Sequence, residues 1–212
     1  MTDAHEAISV SWLSNAKGSS LARLLLEYRY FVRRFPQWLA LTIGHCSDQG
    51  VRTLLMPNLI REAGFGPDGV THLELLDGCL RSCGVDYSDS FRPARSTAEL
   101  EEWFFSVFAS RNVYTSLCVL GPGTEAVSND FLGPLERAVK KEFGSGRNGA
   151  NLAYFDAHSA KNEDEDAKCI LLAMHEIERN SPVDLSKERA TMVRMARTKH
   201  QQFWDSLAEL KA

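Results

Sequence analysis

Four residues of this chain combine ligand chemistry with a helical register. Glu62 and His72 lie in LLMPNLIREAGFGPDGVTHLELLDGC, Glu125 follows a Gly-Pro-Gly turn, and His158 heads the acidic run YFDAHSAKNEDEDAK. Read three or four residues at a time, each falls on a mostly apolar stripe. The stripes are Val51, Leu55, Asn58, Glu62 and Phe65; then His72, Leu76, Cys79, Leu80 and Cys83. The third is Glu125, Ser128, Leu132, Leu135 and Val139, and the fourth is Phe155, His158, Asn162, Glu165, Cys169 and Leu172. A carboxylate on such a stripe is costly to bury unless it neutralises, pairs or binds a cation. Singly, each group has an ordinary role: His72 as a satisfied boundary histidine, Glu62 and Glu125 as exposed residues near helix ends. Together, two histidines and two or more carboxylates aimed inward from several helices are the ligand chemistry of carboxylate-bridged di-iron or di-manganese sites. In the acidic run, Asp164 and at least one of Glu163 and Asp166 are expected to face water, and Glu165 to point inward.

The elements that must hold these groups are helices. LARLLLEYRYFVRRF is amphipathic and stops at Pro36; QWLALTIGHC and GVRTLLMPNLIREAG follow, the latter capped by Gly64. Asp68 is placed to cap GVTHLELLDGCLRSC, which ends at Gly84, and VDYSDSFRPAR reads as a loop. Ser96-Thr97-Ala98-Glu99 is a capping-box pattern before LEEWFFSVFAS. VYTSLCVL is the one β-like run, and the GPG behind it favours a helix ending at a turn. TEAVSNDFLGPLERAVKKEFG reads as a helix bent at Gly133-Pro134, residues 149–179 as one long helix, and SPVDLSKERATMVRMARTKHQQFWDSLAEL as the last. In the last helix Phe203, Trp204 and Leu207 are expected inward. Seven or so helices with short connections predict one all-α domain over residues 1–212, with residues 1–17 as a flexible N-terminus.

Composition narrows the function. The 212 residues carry a net charge of −4 and no long basic run, which excludes the electrostatic footprint of a nucleic-acid binder. No segment has the roughly 18 apolar residues of a membrane span, and no secretory signal is visible. Five cysteines without a CxxC pair read as reduced, structural thiols of a cytoplasmic protein. No glutamate has a histidine three residues later, so the ferritin-type Glu-x-x-His bundle is not the frame.

The segments quoted above resemble the haem-oxygenase-like di-iron oxidases, relatives in fold of haem oxygenase, thiaminase II and pyrroloquinoline-quinone synthase. The stretch from Leu54 to Asp86 is similar to the family's Asn-Leu-x-x-Glu-x-Gly segment with its following histidine and leucine-rich helix, which implies Glu62 and His72 as ligands. GPGTEAVSNDFLGPLERAVKKEFG resembles the next segment and implies Glu125 as a bridging carboxylate. YFDAHSAKNEDEDAK resembles a segment beginning Tyr-Phe-x-x-His with His-x-x-x-Asp-x-x-His spacing, which implies His158 as a ligand. Asn162 stands where the family has Asp and Glu165 where it has the last His; a one-residue slip offers Glu163 and Asp166 instead.

The resemblance implies a haem-oxygenase-like bundle holding two iron ions, or manganese, through Glu62, His72, Glu125, His158 and the altered pair Asn162 and Glu165. Glu62, His72, Glu125 and His158 would be the catalytic set of an O2-dependent oxidase acting on a small molecule such as an amino acid or fatty-acid derivative. Two other readings stay open. A thiaminase-II-like or quinone-synthase-like enzyme would use the same cavity without metal, with Tyr28, Tyr30, Tyr154 or the cysteines as acids, bases or nucleophiles. A helical scaffold would carry a decayed site. Helical domains of this size often form homodimers.

Overall fold

The computed structural model describes residues 7–65, 69–88, 90–144, 149–158 and 160–210; the side chains of 160–166 are not among those described. The first helix, α1 (Gly18–Val32), ends where Pro36 enters the first turn of α2 (Phe35–His45), the position at which a missing N–H costs least. Asp48 caps α3 (Gln49–Glu62) by accepting the Val51 N–H at 2.8 Å. Gly64 then takes φ +73, and a Cβ there would lie 2.8 Å from the Thr71 nitrogen. Only glycine fits so tight a reversal, which folds α4 (His72–Ser82) back and brings its first residue to the last residue of α3. The α4 cap is Thr71, in a reciprocal capping box with Glu74. Asp68, the expected cap, lies outside the described residues.

α5 (Arg95–Ala109) corrects a second capping expectation. Ser96 and Glu99 form no box; Ala94 precedes the helix without a side-chain cap, and its N–H donates to the Glu27 carboxylate at 2.9 and 3.1 Å. Glu27 is fully buried on α1 and also paired with Arg23, so a distant acid has taken the capping role. The β-like run is helical, α6 (Val113–Leu120), and a 3₁₀ turn at Glu125–Val127 leads into α7 (Ser128–Phe143). Pro134 lies inside α7, which runs on continuously past it. The long helix expected over 149–179 is two: α8 (Ala153–Ala157) and α9 (Ala160–Asn180). The chain closes with α10 (Ser186–Ala208).

The result is an all-α single-domain bundle, with ten α-helices among the described residues where seven or so were expected. Its core is aromatic: Trp38, Phe104, Phe108, Phe203 and Trp204 are all buried. Trp204 and Leu207 face inward with Phe203, as the sequence suggests, while Phe105 of the Trp103–Phe108 cluster is exposed. Residues near the start pack rather than trail: Ile8, Val10 and Leu13 are buried, and the Ile8 N–H donates to Asp130. The five cysteines are free thiols. No helix among the described residues is long and apolar enough to cross a membrane.

Two glycines decide how closely the turn before Glu125 is held. A Cβ on Gly121 would fall 2.6 Å from the Ile170 side chain on α9, and one on Gly123 would fall 2.7 Å from Ala196 on α10. The turn is therefore clamped between two helices by bare backbone. Replacing Gly123 with Ala should destabilise the fold by about 1–3 kcal/mol through overpacking, read as a lower urea midpoint at unchanged m-value.

Candidate metal centre

Three of the expected ligands converge. Glu62 closes α3 and His72 opens α4, and the Gly64 reversal sets His72 Nδ1 2.9 Å from Glu62 Oε1. A carboxylate oxygen accepts, so Nδ1–H donates and Nε2 carries the lone pair. His158 caps the C-terminus of α8, where Nδ1 lies 2.8 Å from the Tyr154 carbonyl. A carbonyl likewise only accepts, so Nδ1–H donates here too. The two imidazole centroids are 4.4 Å apart. Taking one donor atom from each of Glu62, His72 and His158, all three lie within 4.8 Å of one another. Glu62 is 8% exposed and the histidines are half-buried, so water does not compete freely for this cluster.

Glu125 is buried on the 3₁₀ turn and lines the same cavity, but it lies outside the close cluster. The side chains of Asn162 and Glu165, and of Glu163 and Asp166, fall outside the described residues, so the acidic wall is not placed. Two stripe members depart from expectation. Phe65 is 81% exposed because α3 has already ended and Gly64 turns the chain away. Leu172 is 45% exposed because the break after His158 shifts the register between α8 and α9.

The cluster opens on a cavity of about 60 Å³. Its apolar wall comes from Phe31, Val32, Phe35, Pro36, Phe131 and Leu132, and its polar wall from the ligand residues with Thr124, Ser128, Tyr28 and Tyr154. The two tyrosine hydroxyls are 2.9 Å apart, and the Tyr154 ring lies 4.2 Å from that of His158. Tyr30 is not in this wall; it packs on Phe91 under Arg33. No cysteine lines the cavity among the described residues.

His200 also lines it, and the sequence reading passed it over. It is buried on α10 between Phe31, Phe104 and Phe131. Thr124 Oγ1 donates to the Val119 carbonyl at 2.8 Å, so its contact of 3.1 Å with His200 Nε2 is one in which the imidazole donates. Burial with no acid beside it lowers the His200 pKa to about 4. The signal was available: Val193, Ala196, His200, Phe203 and Leu207 recur at helical spacing, and one member is polar.

Two imidazoles and one carboxylate gathered this closely suit one ferrous or manganous ion with coordination positions to spare. As held here the Glu62–His72 hydrogen bond occupies one donor atom of each residue, so an ion common to both must replace it or use the other atoms.

The profile of one protein family, described as iron-containing redox enzyme, matches residues 22–199. The chain belongs to that family. Among solved structures, the chain is similar to a CADD-like protein of unknown function from Nostoc punctiforme, at 22% identity and TM-score 0.76 over 94% of this chain and 86% of that one. It is similar to a TenA homologue from Pseudomonas syringae pv. tomato, at 15% identity and TM-score 0.70 over 94% and 84%. A domain of unknown function with a haem-oxygenase-like fold from Shewanella denitrificans gives the same identity and TM-score over 94% and 83%. At such identities the likeness establishes the haem-oxygenase-like fold. No curated protein sequence matches the chain.

His200 predicts a pH dependence. Its folded-state pKa lies below the ordinary histidine value, so the unfolded chain binds more protons, and stability is lost as pH falls from about 6.5 towards about 4. Between pH 7.5 and pH 5 this one residue should remove about 2 kcal/mol. The decrement should be largely absent in His200→Phe, compared by urea denaturation at both pH values.

Proposed function

We propose that the chain is an iron-dependent oxidoreductase that uses O2 to oxidise a small molecule in the cavity beside Glu62, His72 and His158. The observation that carries this reading is the two-histidine, one-carboxylate cluster, buried at the edge of an apolar-walled chamber in a member of the iron-containing redox enzyme family. Iron held there would supply one-electron transfer to O2, chemistry for which no side chain substitutes. Glu62, His72 and His158 would be the ligands of one ion. Glu125, the further described carboxylate of the cavity, is the residue we assign to a second, with Glu165 and Asn162 completing that side.

The rest of the chain's contribution is orientation and exclusion of water. The Tyr154 carbonyl holds the His158 ring through Nδ1–H, and Nε2 is the nitrogen we assign to the ion. The aromatic and aliphatic wall keeps the reacting space dry, which strengthens every polar contact inside it. A chamber of about 60 Å³ holds an ion and a few small ligands, so a substrate enters by displacing them. At the other polar points, His200, Thr124 and Ser128 offer neutral contacts, which suits a substrate with an apolar body and few polar groups.

Metal content after anaerobic loading with Fe(II) tests the proposal. The parent should retain on the order of one to two ions per chain, and Glu62→Ala and His158→Ala should each weaken retention about 10-fold or more. Loaded parent should consume O2, and both variants should not. Absence of metal in the parent would instead favour the Glu62–His72 hydrogen bond as a metal-free acid–base pair in the same cavity.

A further inference from the structure

Asn58 is buried on α3 with 1% exposure, and neither its Oδ1 nor its Nδ2 makes a hydrogen bond. An amide cut off from water without a partner is unfavourable, and leucine would fill a similar volume without that cost. The other unpartnered buried groups among the described residues are the indole nitrogens of Trp12 and Trp204 and the hydroxyl of Thr97. Each of those is one polar atom on a side chain that otherwise packs apolar surface. Asn58 contributes little besides its two polar atoms, so packing does not account for it.

Its place on the helix does. Asn58 lies one turn before Glu62 on the same buried face. Helical side chains lean towards the N-terminus, so the Glu62 chain extends back over the turn that carries Asn58. Glu62 Oε1 accepts from His72, and Oε2 has no hydrogen-bond donor among the described residues. An unused donor thus stands one turn behind a half-used carboxylate. For Glu62 and His72 both to offer these donor atoms to one ion, the hydrogen bond between them must open, and the carboxylate then loses its one donor among the described residues.

We propose that Asn58 is a positioning residue: its Nδ2–H donates to the Glu62 carboxylate when that group turns from His72 to hold a metal ion. The inference rests on the metal reading of the cluster. The Asn58 Nδ2–H is then unpaired in the resting arrangement and paired in the loaded one, so the loaded geometry is favoured by removing one of its two orphaned groups. Partners of this kind, one step behind the ligands, set affinity by fixing ligand orientation.

Cobalt(II) titration of the full chain, followed by its visible absorption bands and by calorimetry, provides the test. Asn58→Leu and Asn58→Ala should each raise the Kd for cobalt about 10- to 100-fold and shift the bands. In Asn58→Leu the thermal midpoint of the metal-free protein should stay level or rise, which separates loss of positioning from loss of fold. Parental affinity and spectrum in the leucine variant would overturn the inference, as would an affinity loss confined to the alanine variant, since that pattern reports packing. Failure of the parent itself to bind cobalt or Fe(II) would remove the metal reading, and this inference with it.

Discussion

A carboxylate and an imidazole held 2.9 Å apart, where α3 ends and α4 begins, set the terms for the surrounding bundle. Neither Glu62 nor His72 tolerates this degree of burial alone, since a desolvated charge without a partner costs several kcal/mol. Their meeting depends on a chain reversal that only glycine at position 64 permits, and on the Thr71–Glu74 box that starts α4 at the histidine itself. His158 completes the group from a third direction, its ring fixed by the backbone of its own helix. The aromatic core then does two things at once: it supplies the burial that stabilises the bundle and the dry wall that gives these polar groups their strength.

Much of this was legible because helical periodicity reports which side chains share a face. Glu62 and His72 stood out as costly groups on apolar stripes, and both are where that argument put them. The same argument failed wherever a helix was assumed to continue. Phe65 and Leu172 were placed inward by spacing alone, yet one lies beyond the end of α3 and the other beyond the break after His158. Capping failed for a different reason. Ser96 and Glu99 have the right types and spacing, but Glu27, from a helix nearly 70 residues earlier, reaches the Ala94 N–H first. Short-range rules cannot see a competitor that only the folded chain brings near. His200 was legible by the same rule, since its stripe of Val193, Ala196, Phe203 and Leu207 carries the signature that singles out His72.

The turn before Glu125 shows how closely packed backbone can help to place the side chain that follows it. With no Cβ at Gly121 or Gly123, α9 and α10 press directly on the main chain, and Thr124 is tied to Val119 and His200. The carboxylate that follows is therefore placed by steric closure on two sides. Its separation from the close cluster is a property of the packed helices rather than of a mobile loop.

The break between α8 and α9 carries a further meaning. His158 does not ride on the long helix; it hangs from a five-residue segment pinned by buried Tyr154 and Phe155. The first turns of α9 belong to a separate element from the segment that carries the ring of His158. Asn162 and Glu165 occupy those turns. The His158 ring is oriented by backbone upstream of it, so its aim follows the short α8 and its buried Tyr154 and Phe155 rather than the pitch of a long helix.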